Sequence, residues 1–240
     1  ACVYGLNKVM KVSVILPTYN EAGNIVALVE KVLSVMPVGV QPEVIVVDDE
    51  SPDNTYEIAR QKFELVREVK IFKRTDDRGL AKSIRFGIEQ ATGDYVIVMD
   101  TDFTHDPGEI PRMIQVGEIY DIVSGSRFCA GGNMEGRAHY IASFVYNLIL
   151  RIIIKTQVQD NLGGFFLIKR EKLKLLLYEK IFYGYGDYFF RMIYYAEKKN
   201  YSIIEIPTFY ANRRKGKSKS NFIKMFFLYS YSALGFVIKK

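Results

Sequence analysis

The chain has little cysteine: Cys2 and Cys129 are the only two among 240 residues. Two cysteines are too few for a disulfide framework, and neither has a Cys or His neighbour at the spacing of metal ligands. A reducing, cytoplasmic setting is therefore expected.

A leader sequence and a long apolar run are also missing. Residues 1–9 lack the charged start, apolar core and small-residue cleavage site of a signal peptide. Met10 followed by Lys11 resembles a natural start, so we interpret residues 1–9 as an N-terminal extension. No apolar stretch convincingly reaches the roughly 20 residues that a membrane-spanning helix needs.

Positive charge is only modestly in excess, with a formal net charge of +6. This excess suits phosphate-bearing partners or anionic lipid headgroups. Nucleic acid is not an expected partner, because zinc-finger spacing, an aromatic RNA-binding signature and a repeated basic helix are all absent. Much of the charge falls in one short stretch, at Arg213, Arg214, Lys215, Lys217 and Lys219.

What the chain does have is 49% hydrophobic residues, enough for one sizeable core. Apolar β-branched runs alternate with segments of helical periodicity, which predicts a parallel sheet layered by helices. The predicted strands are 12–16, 44–47, 69–72 and 95–99, and the predicted helices between them are 24–35, 55–66 and 80–90.

Acidic residues follow three of these strands. Glu21 comes after the first strand, Asp48 and Asp49 after the second, and Asp100 and Asp102 after the strand at 95–99. In parallel sheets ligands bind at the carboxyl ends of the strands. The acids are therefore expected to converge on one edge of the sheet.

Asp100 and Asp102 carry the strongest chemical signal. Residues two apart on extended backbone point to the same side, so both carboxylates can share Mg²⁺ or Mn²⁺. Such a cation would also hold a diphosphate and neutralise the charge on a departing nucleotide. The structural alternative is a solvated loop, or a cap for the helix after Pro107.

Two further loops are suited to a nucleoside. In the segment 17–21, Tyr19 offers an aromatic face, and Glu21 and Asp49 can accept hydrogen bonds from a base or ribose. The alternative for the segment 48–55 is an acidic loop in which Ser51 or Asp53 caps the next helix.

Seven ordered segments resemble the family 2 glycosyltransferases, and within them the dolichyl-phosphate mannose synthases and related polyprenyl-phosphate glycosyltransferases. Together they extend across almost the whole chain after Met10, which makes the ordered set far more specific than any single motif. They are PTYNE at 17–21, DDESPDNT at 48–55, RGLAKSIRFG at 78–87, DTDFTHDP at 100–107, GSRF at 125–128, DNLGGFF at 160–166 and RRKGKSK at 213–219.

The resemblance implies a GT-A (Rossmann-like) α/β fold and a nucleoside-diphosphate sugar donor. It implies a metal held by Asp100 and Asp102, which with Arg127 and Arg213 form the catalytic set. The implied nucleotide-sugar site comprises Pro17, Tyr19, Glu21, Asp48, Asp49, Asp77, Lys82, Asp100, Thr101 and Asp102. The implied acceptor-phosphate site comprises Arg127, His139, Ser143, Arg213 and Lys219.

Three positions depart from the family pattern. Asp77 stands where relatives commonly carry Asn or Lys, and Thr104 where the mannose synthases often offer Gln as a further metal ligand. His139 stands where an Arg that holds the acceptor phosphate is expected. These departures bear on the identity of the sugar more than on glycosyl transfer.

The acceptor can also be argued from chemistry. A phosphate monoester has a second pKa near about 6 and arrives ionised, whereas a sugar hydroxyl needs a general base. Asp187 could be that base or the N-cap of a helix, and capping is favoured. Asp160 and Asn161 could line the acceptor site or simply turn the chain.

Two apolar segments suggest contact with a membrane. Residues 140–154 form either a core helix or a membrane-facing one, with Ser143, Asn147 and Arg151 as a polar stripe. Residues 222–238 suit an amphipathic helix in the membrane interface, or one that packs on a small membrane subunit. The expected division is thus an extension at 1–9, a GT-A catalytic domain at 10–220 and this helix at 221–240.

The predicted function is inverting transfer of mannose from GDP-mannose to dolichyl phosphate, at the cytoplasmic face of a membrane. Three alternatives remain. UDP-glucose or another donor could serve the same acceptor, or the sugar could pass to a polysaccharide or glycolipid hydroxyl. From a different class, the chain could be a non-catalytic nucleotide-sugar-binding scaffold.

Overall fold

Strands and helices alternate through the first half of the chain, as the sequence predicts. The computed structural model describes residues 9–212 and 222–238. Its first seven elements are β1 (Met10–Thr18), α1 (Ile25–Ser34), β2 (Val40–Asp48), α2 (Thr55–Phe63), β3 (Val69–Lys73), α3 (Leu80–Gln90) and β4 (Tyr95–Val98).

The second half is more irregular. A 3-10 turn at Pro107–Glu109 precedes α4. The elements are α4 (Ile110–Gly117), β5 (Ile122–Ser126), β6 (Asn133–Met134), α5 (Arg137–Ile154), β7 (Phe166–Lys169), α6 (Arg170–Leu173), α7 (Tyr178–Ile181), α8 (Tyr188–Lys198), β8 (Ile203–Pro207), β9 (Phe209–Tyr210) and α9 (Phe222–Ile238).

Seven strands form one sheet in the order β3-β2-β1-β4-β7-β5-β8. All its pairings are parallel except those of β7, which runs antiparallel to both β4 and β5. Because β7 is reversed, its amino end lies beside the carboxyl end of β4, where Val98 pairs with Phe166. The loop before β7 therefore reaches the same sheet edge as the acidic loops after β1, β2 and β4.

Helices cover both faces of the sheet. Val14 and Leu16 belong to one buried cluster and Ile15 to the other, as alternation along a strand requires. Helix α3 packs especially close to β1, since a Cβ on Gly87 would lie 2.5 Å from Ile15 Cγ2. This close packing fixes the start of α3 next to the sheet edge that carries the acidic loops.

Helix α5 has the reverse of the usual amphipathic arrangement. Its polar residues Ser143 and Asn147 are buried, and Asn147 accepts a hydrogen bond from the backbone N–H of Asn161 at 2.7 Å. Helix α9 packs on α5, with Tyr229 and Ala233 in a buried cluster with Tyr146 and other residues. The opposite side of α5 is apolar and exposed.

A buried carboxylate, Glu43, ties together the sheet edge opposite the acidic loops. It is 2% exposed. It accepts hydrogen bonds from Lys70 at 2.8 Å, Ser13 at 2.5 Å, Lys11 at 3.1 Å and the Thr92 backbone N–H at 2.8 Å. Burial acts to raise the pKa of Glu43, but these hydrogen bonds outweigh it and hold that pKa far below its ordinary value.

We predict that Glu43 makes the protein less stable in acid. A depressed folded-state pKa gives stability above the ordinary Glu pKa of about 4.3, and this stability is lost as the pH falls below it. The free energy of unfolding should fall by up to about 1.4 kcal/mol per pH unit from this group alone. The free energy of unfolding, measured with urea at several pH values between about 3 and 7, should fall less steeply with decreasing pH in Glu43→Gln than in the wild type. The exposed control Glu118→Gln should parallel the wild type, and equal slopes for all three proteins would contradict the prediction.

Candidate active site

A cleft of about 590 Å³ opens at the carboxyl edge of the sheet. Loops after β1, β2 and β4, the start of α3 and the loop before β7 form its walls, and α9 contributes one residue. Its lining consists of Pro17, Thr18, Tyr19, Glu21, Asp49, Arg78, Gly79, Leu80, Ser83, Asp100, Thr101, Asp102, Leu162, Gly163, Gly164, Tyr185, Gly186, Tyr188 and Tyr229.

Asp48 supports the cleft from behind and does not line it. Its side chain is fully buried and accepts hydrogen bonds from Thr18 at 3.0 Å and from the Ser51 hydroxyl at 2.5 Å and backbone N–H at 2.9 Å. The Ser51 hydroxyl in turn accepts from the backbone N–H of Asn20 at 2.9 Å. Asp48 and Ser51 thus join the first two loops, and Ser51 does not cap α2.

Asp53 makes a second link between these loops. Its carboxylate accepts hydrogen bonds from the backbone N–H groups of Thr55 at 3.1 Å and Ala22 at 3.0 Å. The hydroxyl of Thr55 accepts from the Glu21 N–H at 2.9 Å. Glu21 is held at the cleft, 5% exposed, with a carboxylate oxygen bonded to Asn24 at 2.8 Å.

Asp49 occupies the wall that sequence reasoning assigns to the nucleoside. Arg74 donates to one of its oxygens at 2.9 Å, and the backbone N–H of Gly79 donates to the other at 2.7 Å. Arg74 also donates to Ser83 at 2.8 Å. This bracing fixes the carboxylate in one orientation at the start of α3.

Asp77 and Lys82 lie apart from the cleft lining. They form an ion pair with each other, and their side chains are 68% and 38% exposed. The structure places Arg78, Gly79 and Ser83 at the cleft instead. The predicted nucleotide contacts of Asp77 and Lys82 are therefore not among the residues that line the cleft in this structure.

The loop of Asp100 and Asp102 lies at the centre of the cleft. Asp102 is 4% exposed and accepts hydrogen bonds from the Thr104 hydroxyl at 2.6 Å and backbone N–H at 3.0 Å. Thr101 donates to the carbonyl of Pro17 at 3.2 Å. Phe103, between Asp102 and Thr104, has a φ of 64°, a left-handed conformation that a non-glycine residue adopts only where its surroundings enforce it.

The donor set of this loop is suitable for a hard cation that brings other ligands with it. Within residues 9–212 and 222–238, no group of three or more His, Cys, Asp or Glu side chains forms a complete protein cage. Mg²⁺ and similar cations commonly bind through one or two carboxylates together with substrate phosphates and water. Asp100, whose side chain is 51% exposed, and Asp102 face a cleft with room for a diphosphate.

Arg127 is engaged in a buried ion pair and does not reach the cleft. Its Nε and Nη2 donate to Asp160 at 2.8 and 2.7 Å, and its guanidinium lies 4.8 Å from the centre of the Tyr210 ring. Burial acts to lower the pKa of Arg127, but the Asp160 carboxylate outweighs it and holds that pKa above its ordinary value. In this conformation both Arg127 and Asp160 are structural.

Arg127→Lys should therefore cost stability. Lysine keeps the charge but cannot make the two parallel hydrogen bonds to Asp160, and loss of one charge-assisted bond costs about 1.5–3 kcal/mol. Thermal or urea unfolding measures this, with the exposed Arg112→Lys as a control expected to match wild type. Unchanged stability, with weaker acceptor use, would instead support the predicted phosphate contact.

The other residues of the predicted acceptor-phosphate site are dispersed. His139 is exposed in the first turn of α5, and Ser143 is buried one turn later, where its carbonyl accepts from Asn147 at 2.9 Å. Neither lines the cleft. Arg213 and Lys219 lie outside the described residues, and Asn161 is fully buried and bonded to Thr156 at 2.8 Å.

Asp187 is the N-cap residue of α8, as predicted, but its side chain makes no cap hydrogen bond. Its oxygens accept instead from Arg191 at 2.5 Å, Ser232 of α9 at 2.7 Å and the Tyr185 backbone N–H at 2.7 Å. Arg191 is fully buried and lies 3.7 Å from the Tyr183 ring centre. A carboxylate held in this way is not positioned as a general base.

Sequence reasoning missed the tyrosines on the far wall of the cleft. Tyr185, Tyr188 and Tyr229 line it, and the Tyr229 hydroxyl accepts from the Gly186 N–H at 3.1 Å. Burial raises the pKa values of Tyr188 and Tyr229, so both hydroxyls stay protonated. The spacing of residues in the sequence does not group these tyrosines, because Tyr229 lies in α9, 43 positions after Gly186.

A cleft at the carboxyl edge of a mostly parallel sheet, lined by paired acids, is where open α/β proteins bind their ligands. Comparison with known proteins specifies the class. The profile of glycosyl transferase family 2 matches residues 13–177, and the chain belongs to that family. This match confirms the family that the resemblance predicted.

Two curated relatives are similar over most of this chain. Dolichol-phosphate mannosyltransferase of Pyrococcus furiosus is 33% identical over 215 residues, which cover 88% of this chain and 59% of that protein. Undecaprenyl-phosphate mannosyltransferase of Micrococcus luteus is 29% identical over 217 residues, covering 88% of this chain and 87% of that protein. The chain thus spans less than two thirds of the Pyrococcus furiosus relative.

A solved structure confirms the GT-A fold. Glucosyl-3-phosphoglycerate synthase of Mycobacterium tuberculosis, in complex with Mn²⁺, UDP and phosphoglyceric acid, superimposes with a TM-score of 0.70 at 17% identity. The match covers 96% of this chain and 78% of that one. At this identity the likeness shows the fold alone.

Proposed function

We propose that the protein transfers mannose from GDP-mannose to a polyprenyl phosphate such as dolichyl phosphate, with inversion at the anomeric carbon. The names of the similar mannosyltransferases support both the sugar and the class of acceptor. The observation that carries the proposal is the state of Asp187, whose oxygens are bound by Arg191, Ser232 and Tyr185.

An engaged Asp187 favours an acceptor that needs no base. Of the four carboxylates that line the cleft, Asp49 is braced by Arg74, Glu21 by Asn24 and Asp102 by Thr104, and Asp100 is assigned to the cation. A hydroxyl acceptor must lose a proton to one of them, whereas a phosphate monoester is already ionised near neutral pH. The phosphate oxygen then attacks the anomeric carbon while the bond to the nucleoside diphosphate breaks, which inverts the configuration.

On the donor side, Asp49 and Glu21 bind the nucleoside, and Tyr19 packs against it. Asp100 and Asp102 hold Mg²⁺ or Mn²⁺, which when bound would offset the negative charge that develops on the leaving diphosphate. The tyrosines of the opposite wall supply neutral hydroxyl groups to the transferred sugar. Arg213 and Lys219 are proposed to hold the acceptor phosphate.

The donor is tested by comparing labelled GDP-mannose with UDP-glucose and UDP-mannose at equal concentration, with Mn²⁺ and dolichyl phosphate. GDP-mannose should give the fastest release of nucleoside diphosphate that depends on the acceptor. Faster transfer from a UDP-sugar would overturn GDP-mannose as donor and leave the polyprenyl acceptor in place.

Membrane association is proposed from the exposed side of α5 and α9, called here the apolar face. Monomers rarely expose apolar patches of this continuity without using them for interaction. Helix α5 alone, among the described residues, has the length and hydropathy of a membrane span, but a core helix can meet the same test. The apolar face comprises Ile141, Phe144, Val145, Leu148, Ile149 and Ile152 of α5 and Phe227, Leu228, Tyr231 and Leu234 of α9.

Such a face suits the interfacial layer of a bilayer at the cytoplasmic side, where the chain would lie peripherally or pack on a small membrane subunit. A charge at Ile152, 67% exposed, should therefore weaken membrane binding without affecting folding. We predict that Ile152→Glu lowers affinity for vesicles of phosphatidylcholine and phosphatidylserine about tenfold, equivalent to about 1.4 kcal/mol.

Vesicle sedimentation measures this affinity. Val38→Glu alters a fully exposed apolar residue in the loop between α1 and β2, and should bind vesicles like wild type. Equal affinity for all three proteins would contradict the assignment of the apolar face.

A further inference from the structure

His105 lies directly behind the paired acids and has no assigned role in the proposed transfer reaction. It is 1% exposed. Its ring stacks on Phe165 with centroids 5.0 Å apart, and meets the Tyr210 ring edge-on at 4.6 Å. The two aromatic contacts fix the plane of the imidazole.

One ring nitrogen determines the tautomer. The backbone N–H of Asp100 donates to Nδ1 of His105 at 2.9 Å, so Nδ1 carries no hydrogen. A neutral imidazole in this state carries its hydrogen on Nε2. His105 therefore holds the Asp100 main chain with one nitrogen and has a donor on the other.

That donor has no hydrogen-bond partner among the described residues. The nearby acceptor is Oδ2 of Asp100, which lies 3.8 Å from Nε2, beyond hydrogen-bond distance. Leaving a buried donor unsatisfied is costly, and each such group in a native structure calls for an explanation. Here the donor lies next to one of the two carboxylates assigned to the cation.

We infer that His105 is a positioning residue of the metal centre: Nδ1 fixes the backbone of Asp100, and Nε2, 3.8 Å from the Asp100 carboxylate in this structure, would donate to it and orient it when the cation is bound. The inference rests on the proposed function, which assigns the cation to Asp100 and Asp102. Hydrogen bonds to ligating carboxylates orient them, and losing such a partner commonly weakens metal affinity about 10- to 100-fold.

Two substitutions separate the two nitrogens. His105→Asn keeps an acceptor near the position of Nδ1 and removes the donor at Nε2, whereas His105→Gln keeps a donor near Nε2 and removes the acceptor. The inference predicts that His105→Asn loses about tenfold in affinity for Mn²⁺, and that His105→Gln loses about threefold or less. Asp106→Asn, an exposed acid in the same loop, should match wild type.

Binding is measured without turnover, by the free Mn²⁺ signal in electron paramagnetic resonance and by the Mn²⁺-dependent part of GDP and UDP affinity. Equal Mn²⁺ affinity for wild type and His105→Asn overturns this inference alone and leaves the proposed function standing. Absence of Mn²⁺ binding by wild type overturns the proposed metal centre and this inference together.

Folding is followed by the unfolding temperature of each metal-free variant. If His105→Asn does not fold, His105→Gln decides: affinity within about threefold of wild type supports the Nε2 donor, and a tenfold loss refutes it.

Discussion

Asp102→Asn is expected to lower sugar transfer by about three orders of magnitude, without loss of folding. The amide is nearly the same size as the carboxylate, and its oxygen can still accept the hydrogen bonds from Thr104, at 2.6 and 3.0 Å in the wild type. What disappears is the negative charge that would hold a divalent cation against the donor diphosphate. Stabilisation of leaving-group charge is worth several kcal/mol, hence about 10³ in rate.

Initial rates of labelled-sugar transfer and the unfolding temperature are measured side by side. The matched control is Asp106→Asn, four residues along, where the side chain accepts from the Gly108 N–H at 2.8 Å at the protein surface. Its transfer rate should stay within about twofold of wild type. Retention of more than a tenth of wild-type activity by Asp102→Asn, with Mn²⁺ present, would remove Asp102 from the reaction.

Asp187→Asn is expected to destabilise the protein by about 3–5 kcal/mol, because it leaves Arg191 buried without its counter-charge. Arg191 is fully buried and Asp187 is 3% exposed, so water cannot compensate. The effect also reaches α9, since the Ser232 hydroxyl donates to Asp187 at 2.7 Å and accepts from Arg191 at 3.0 Å.

A double-mutant cycle supplies the control. Replacing the pair together, as Arg191→Met with Asp187→Asn, should restore part of the loss, since no buried charge then remains. If Asp187 were a catalytic base, the single variant would fold with normal stability and lose kcat. That result would favour a hydroxyl acceptor over a polyprenyl phosphate.

The first half of the fold, in which strands and helices alternate, could be predicted from the sequence. Helix α3 matches its predicted bounds of 80–90, and β1 to β4 fall where apolar runs predict them, because buried parallel strands require such runs. The antiparallel direction of β7 and the strand β8 were not predicted. An apolar run gives no information about strand direction, which here depends on the pairing of β7 between β4 and β5.

For the cleft, the sequence indicates which loops meet but not which side chains in them face inward. Glu21, Asp49, Asp100 and Asp102 lie together as expected. Asp48 precedes Asp49 by one residue and points away, which is the ordinary alternation at the end of a strand. Arg127 carried positive charge in a predicted phosphate site, yet its partner Asp160 lies 33 positions away and was not visible to spacing arguments.

The sequence also did not show which side of helix α5 is buried. Ser143 and Asn147 predicted a polar stripe on a core or membrane-facing helix, and the structure buries both residues. Their hydrogen bonds inside the molecule leave the apolar side of the helix exposed. Periodicity alone identifies a two-sided helix without showing which side faces outward, since either solvent or a membrane can cover the exposed one.

The most direct test of the account is transfer of labelled mannose from GDP-mannose into an organic-extractable product, with dolichyl phosphate or dolichol as the acceptor. Each reaction is run with Mn²⁺ and with EDTA. The account predicts extractable label with dolichyl phosphate and Mn²⁺ only, since the phosphate supplies the charged nucleophile. Label of equal yield with dolichol, or with EDTA in place of Mn²⁺, would contradict it.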